Sequence, residues 1–244
     1  MNVIFGILIP FIGTTLGAAL VFFIKNNINN KYEKFMLGFA SGVMIAASIW
    51  SLLLPSIELS KNIKWLYPSI GFIIGILFLL IIDKLTDYYK SNKNDSMLLL
   101  AVTLHNIPEG MAVGVAFAGY LSGNSSITFA GCFALALGIT IQNFPEGSII
   151  SIPLHTKGIS KIKSFLYGSL SGIVEPIFAL LAILLTRYVV LLMPFFLSFA
   201  AGCMIYVVIE ELVPESKSDV KSKLPIVGLS LGFVVMMILD ISLG

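Results

Sequence analysis

Charged side chains are scarce in this chain of 244 residues: they make up 11% of it, against 57% hydrophobic residues. A soluble domain carries about 25% charged residues, so the deficit excludes an ordinary water-facing surface. Histidine occurs twice and cysteine twice. Two histidines without the H-E-x-x-H spacing exclude a zinc-protease motif. Cys132 and Cys203 both fall inside apolar runs, which excludes a disulfide scaffold and leaves buried thiols as their reading. The formal net charge of +2 excludes the strongly basic surface of a nucleic-acid partner. Long polar stretches are also missing, leaving no room for a separate soluble domain. The segment Met1–Ile24 lacks a basic n-region and a small-residue cleavage site, and reads as a retained membrane span.

What is present is a series of eight apolar runs of about 20 residues. They cover roughly 3–24, 35–54, 65–83, 97–120, 127–152, 163–186, 190–213 and 224–243. The expectation is an all-α integral membrane protein of eight transmembrane helices in one domain, 1–244. Lys25, Lys31, Lys34, Lys84, Lys90, Lys93, Lys157, Lys161, Lys163, Lys217, Lys221 and Lys223 fall in alternate loops, and the other side holds Lys61, Lys64 and Arg187. That asymmetry puts the lysine-rich loops in the cytoplasm and both termini outside a cell membrane.

Residues 35–52 align with 195–212 at an offset of 160, sharing among others Phe35/Phe195, Phe39/Phe199, Gly42/Gly202, Met44/Met204 and Leu52/Leu212. The third and eighth runs align at an offset of 157: Pro68/Pro225, Gly71/Gly228, Gly75/Gly232 and Asp83/Asp240. Each pair lies five spans apart, an odd number, so the related helices run in opposite directions. The result is a 3+2+3 inverted repeat: repeat one over 1–90, a central pair over 97–152, repeat two over 160–244. Its pseudo-two-fold axis passes between the central spans near the midplane, where secondary transporters tend to hold substrate.

Those central spans carry near-duplicate motifs, His105-Asn106-Ile107-Pro108-Glu109-Gly110 and Gln142-Asn143-Phe144-Pro145-Glu146-Gly147. On a helix, His105 and Glu109 share a face, as do Asn106 and Glu109, and the second motif repeats the pattern. Two such faces supply one imidazole, three carboxamides and two carboxylates. A charged residue at a helix centre costs about 2.5–3.5 kcal/mol on insertion scales, so a divalent ion is the natural partner. Imidazole with carboxylate oxygen suits Zn²⁺, Fe²⁺ or Mn²⁺. Pro108 and Pro145 each free a carbonyl, of Leu104 and Ile141, and allow bending at the site.

Glu175, followed by Pro176, adds a third acid within the sixth span. For Met44 and Met204 core packing is the commoner fate, a thioether ligand the alternative. Glu210 and Glu211 either relay an ion or sit among headgroups. Asp83 and Asp240 stand at span ends and read as interfacial, with Asp240 kept as a pathway candidate. His155 reads as a solvated loop residue.

With these motifs, and Val174-Glu175-Pro176 on span six, the chain resembles the ZIP family of divalent-metal transporters, in its prokaryotic GufA-like branch. The resemblance runs the whole length. It implies a binuclear midplane site: one ion on His105, Glu109, Gln142 and Glu146, with Met44 as a further ligand, the second on Asn106, Glu109, Asn143, Glu146 and Glu175. Gln142 stands where many members have histidine, and Asn143 where some have an acid; both weaken the second position. The function implied is uptake into the cytoplasm by alternating access, with spans four and five moving against the repeat helices. The substrate is Zn²⁺, with Fe²⁺, Mn²⁺, Co²⁺ and Cd²⁺ as alternatives, and no organic cofactor. A homodimer is compatible with the family. A channel on the same scaffold is the alternative; an intramembrane metalloenzyme would need a catalytic set that two histidines do not supply.

Overall fold

The computed structural model describes residues 2–23, 30–60, 63–90, 95–217 and 222–243, which are helical apart from short connections. Lys25, Lys61, Lys93 and Lys221, four of the loop lysines that bear on orientation, lie outside the described residues. The helices are α1 (Asn2–Ala19), α2 (Asn30–Ala47), α3 (Leu54–Leu59), α4 (Leu66–Lys90), α5 (Asp95–Leu121) and α6 (Phe129–Thr156), then α7 (Lys161–Ser171), α8 (Val174–Leu184), α9 (Thr186–Leu191), α10 (Met193–Val207), α11 (Val213–Lys217) and α12 (Leu224–Leu243). A π-helical turn, Ser48–Leu53, joins α2 to α3, and another, Val208–Leu212, joins α10 to α11. The two turns start at residues 48 and 208, positions that the offset of 160 pairs.

Six stretches among the described residues are long and apolar enough to cross a bilayer: Val3–Phe22, Glu33–Leu59, Leu66–Leu85, Lys161–Leu184, Met193–Lys217 and Leu224–Leu243. The two motif helices, α5 and α6, carry their polar hexapeptides mid-helix. With 27 and 28 residues, each is about 40 Å long, against a hydrocarbon thickness of about 30 Å. Both run unbroken through Pro108 and Pro145. The helix break falls instead at Gly172–Ile173, between α7 and α8, directly before Glu175. Lys34, counted above with a loop, lies within α2, is 4% exposed and pairs with Glu215 of α11 at 2.5 Å. The helix simply starts one turn earlier than the apolar run.

Glycines set the helix packing. A Cβ at Gly42 would stand 2.0 Å from the Leu229 carbonyl oxygen, and one at Gly232 2.0 Å from that of Phe39, so α2 and α12 touch backbone to backbone. The same contact joins α10 to α4, with 2.2 Å from Gly202 to the Phe72 oxygen and 2.1 Å from Gly75 to that of Phe199. Every residue of the second contact is the offset mate of one in the first. A separate group forms where α1 lies on α6 through Gly13 and Gly17, and α8 on α5 through Gly110 and Gly114. Across the two groups, Gly138 and Gly119 meet the flexible thioethers of Met236 and Met193. The molecule is polar at its centre and apolar outside: Gln142 and Asn143 are buried, while Ile73 and Ile241 are largely exposed.

Candidate metal site

The faces of α5 and α6 that carry the motifs meet α1, α7 and α8 in the interior. His105, Asn106, Glu109, Gln142, Asn143, Glu146 and Glu175 are all buried there, none more than 8% exposed. Met44 and Met204 are buried too, but among the apolar core.

Gln142 Nε2 donates to Glu109 Oε1 at 2.6 Å. The other Glu109 oxygen, Oε2, has no hydrogen-bond partner among the described residues, nor do Gln142 Oε1 and Asn143 Oδ1. All three are buried acceptors, and leaving one without a donor costs about 1–3 kcal/mol.

Glu175 is held differently. Its Oε1 accepts from Thr14 Oγ1 and from Asn106 Nδ2, each at 3.2 Å, and its Oε2 accepts from Asn143 Nδ2 at 2.7 Å. The same two amides also donate to backbone: Asn106 to Ser171 O at 3.2 Å and Asn143 to Pro10 O at 3.4 Å. Pro10 and Ser171 are 161 residues apart, as are Thr14 and Glu175. The amide-to-backbone contact is therefore made twice, and Thr14 stands at the same offset from Glu175, to which both amides donate.

The His105 nitrogens turn away from the two motifs. Nδ1 lies 2.9 Å from Glu211 Oε1 and Nε2 lies 3.6 Å from Asp83 Oδ1. Tyr206 donates its hydroxyl to Asp83 Oδ2 at 2.7 Å. Asp83, His105 and Glu211 each offer a ligand atom, all within 4.8 Å of one another. Asp83 lies two residues before the end of the apolar stretch Leu66–Leu85, and its carboxylate faces His105 of α5. Glu210 is exposed while Glu211 faces His105: adjacent helical residues point about 100° apart, so one of the pair turns inward.

Glu109 lies within electrostatic reach of Glu146 and Glu175, and Glu146 within reach of Glu211 and His105. The groups thus form one chain of acids. Among the described residues no lysine or arginine acts on Glu109, Glu146 or Glu175; His105 lies within electrostatic reach of Glu146.

Asp240 accepts from Ser51 Oγ at 2.5 Å. Both line a cavity of about 300 Å³ together with Glu58 and Thr128. Ala116 and Leu135 also line it, seven residues, about two turns, from Glu109 and Gln142 respectively. Cys132 borders the same cavity, and Cys203 donates to Gly75 O at 3.3 Å. His155 Nδ1 sits 2.9 Å from Ile159 O and closes a turn. Carboxylate and carboxamide oxygens, with an imidazole nearby, are donor types that suit a borderline divalent ion.

The profile of the family described as ZIP zinc transporter matches residues 95–240. The chain is 33% identical to zinc transporter ZIP11 of Xenopus tropicalis, across 95% of this chain and 94% of that one. It is 33% identical to zinc transporter GufA of Myxococcus xanthus, across 95% and 96%, and 32% identical to zinc transporter ZIPB of Bordetella bronchiseptica, across 96% and 79%. With two polar motifs buried amid apolar helices and these relatives along its length, the chain belongs to the ZIP zinc transporter family: a multi-pass membrane protein that transports divalent metal, and not an enzyme.

Proposed function

We propose that the chain carries zinc into the cytoplasm by alternating access, through a site built on Glu109, Gln142 and Glu146. The observation that carries this reading is three buried carboxylates with no lysine or arginine acting on them among the described residues. Burying an ionised group costs several kcal/mol even after relaxation, and a divalent ion offsets that cost for several carboxylates at once. Fe²⁺, Mn²⁺, Co²⁺ and Cd²⁺ suit the same donor set; zinc is favoured because the relatives are zinc transporters.

The site has two positions that fill in order. Glu109 Oε2 and Gln142 Oε1 stand open and take the first ion. Glu175 is already occupied by three neutral donors, so a second ion binds only when Asn106 or Asn143 turns its oxygen inward. The route begins in the cavity beside Asp240 and Glu58, crosses the motifs, and leaves through Asp83, His105 and Glu211. The lysine distribution supports a cytoplasmic position for that exit and external termini in the cell membrane.

All eight helical stretches cross the membrane in this reading, as a 3+2+3 inverted repeat; the recurring glycine contacts and paired π turns support it. The moving body is larger than the central pair expected from sequence. Backbone-tight glycine contacts tie α1 and α8 to the motif helices, so α1 and α5–α8 move together against α2, α4, α10 and α12. The boundary between them runs over thioethers, which slide more readily than interlocked backbones.

Zinc flux into proteoliposomes tests the reading: saturable uptake well above that of empty liposomes is expected, and its absence would refute it. In the same assay Glu211→Gln should lower flux about tenfold by weakening the exit cluster, whereas Glu210→Gln stays within about twofold. Equal effects would sever Glu211 from the route. Thr14→Val removes a donor from Glu175, and should change the apparent affinity for zinc by about threefold without loss of folded protein, as judged by the melting temperature in detergent.

A further inference from the structure

Away from the metal route, a second cavity of about 540 Å³ opens where Leu59 leads toward Leu66 and where Leu184 leads to Met193. Both connections follow the end of one membrane-crossing stretch and precede the next, so the cavity lies at a membrane–water boundary. Its walls include Leu59, Val190, Leu191 and Phe195, with Tyr67 and Arg187 also lining it. Trp65, Tyr67 and Tyr188 are 67%, 51% and 65% exposed around it, the amphipathic rings typical of that boundary. Arg187 is exposed and has no ion-pair or hydrogen-bond partner among the described residues.

We propose that this cavity docks one anionic phospholipid, with its phosphate on the Arg187 guanidinium and an acyl chain along Leu59, Val190 and Leu191. An unpaired guanidinium is complementary to a phosphate, which it grips through two parallel N–H donors. The aliphatic wall beneath it has a use only if the anion brings a hydrocarbon tail, which a free phosphate does not. A zwitterionic lipid carries its own ammonium beside the phosphate and gains less from a lone arginine. The site includes α9, the short connection between α8 and α10, and these belong to the two packing groups; a bound lipid therefore braces the link between them. The docking itself rests on the membrane placement and is independent of the metal reading.

Native mass spectrometry of the purified chain, offered phosphatidylglycerol or phosphatidylcholine, tests it. The wild type should retain one phosphatidylglycerol per chain in preference to phosphatidylcholine. Arg187→Gln should cut the retained phosphatidylglycerol about fivefold and abolish the preference. Val190→Trp should reduce retention by narrowing the cavity while the arginine stays in place. Glu109→Gln should retain lipid as the wild type does, which separates this site from the metal site. Equal retention by wild type and Arg187→Gln, no preference between the lipids, or displacement of the lipid by millimolar inorganic phosphate would each overturn the proposal.

Discussion

Glu109→Gln should abolish zinc flux, lowering it by about 100-fold or more. The substitution keeps the shape of the side chain and can keep the contact from Gln142 Nε2, now 2.6 Å from Glu109 Oε1. It removes one charge, and the amide nitrogen can take the place of Oε2, a buried oxygen that lacks a donor. A lost charged ligand is worth about 3 kcal/mol, or roughly two decades. The fold should not suffer. With one fewer buried acid next to Glu146 and Glu175, the metal-free variant should melt at or above the wild-type temperature. Zinc raises the melting temperature of the wild type by mass action, and that increment should vanish in the variant. Wild-type flux from Glu109→Gln would remove the residue from the site.

Gly147→Val should fail to fold. A Cβ at Gly147 would stand 2.0 Å from the Thr14 carbonyl oxygen and 2.8 Å from the Ala18 nitrogen. Both are backbone atoms, and neither can turn aside. Overpacking a tight core costs about 1–3 kcal/mol and more where nothing relaxes; here α1 must leave α6, taking Thr14 from Glu175. Gly138→Ala is the contrasting case, since its nearest neighbour is the Met236 sulfur at 2.3 Å, the end of a flexible side chain. Size-exclusion profiles in detergent should show aggregate for Gly147→Val and a monodisperse peak for Gly138→Ala. A monodisperse Gly147→Val would mean that the motif glycine has no packing role.

The glycine of each motif thus has a physical reason that the motif alone does not reveal. Gly110 lies on the Glu175 carbonyl and Gly147 on that of Thr14, so the glycines admit the helices that complete the site. The acids and amides themselves were legible in the sequence, because a polar hexapeptide repeated inside apolar runs is costly to bury unless it binds an ion. So was the pairing of Gly42 with Gly202 and Gly75 with Gly232, since identical residues mark equivalent positions.

Thr14 was not legible. Its counterpart is Glu175, and a hydroxyl and a carboxylate share no sequence signal although they occupy matching places. The partners of Asp83 were not legible either: its carboxylate meets Tyr206 and His105, which come from helices far apart in the chain. His105 then turns to Asp83 and Glu211, which spacing along one helix could not show.

The most direct test of the metal site is zinc-edge anomalous diffraction from crystals of the purified chain grown with zinc. A peak is expected within about 2.2 Å of a Glu109 carboxylate oxygen, with the Gln142 carboxamide oxygen facing the same ion. Well-occupied zinc elsewhere in the molecule, with no density beside Glu109 or Glu146, would contradict it.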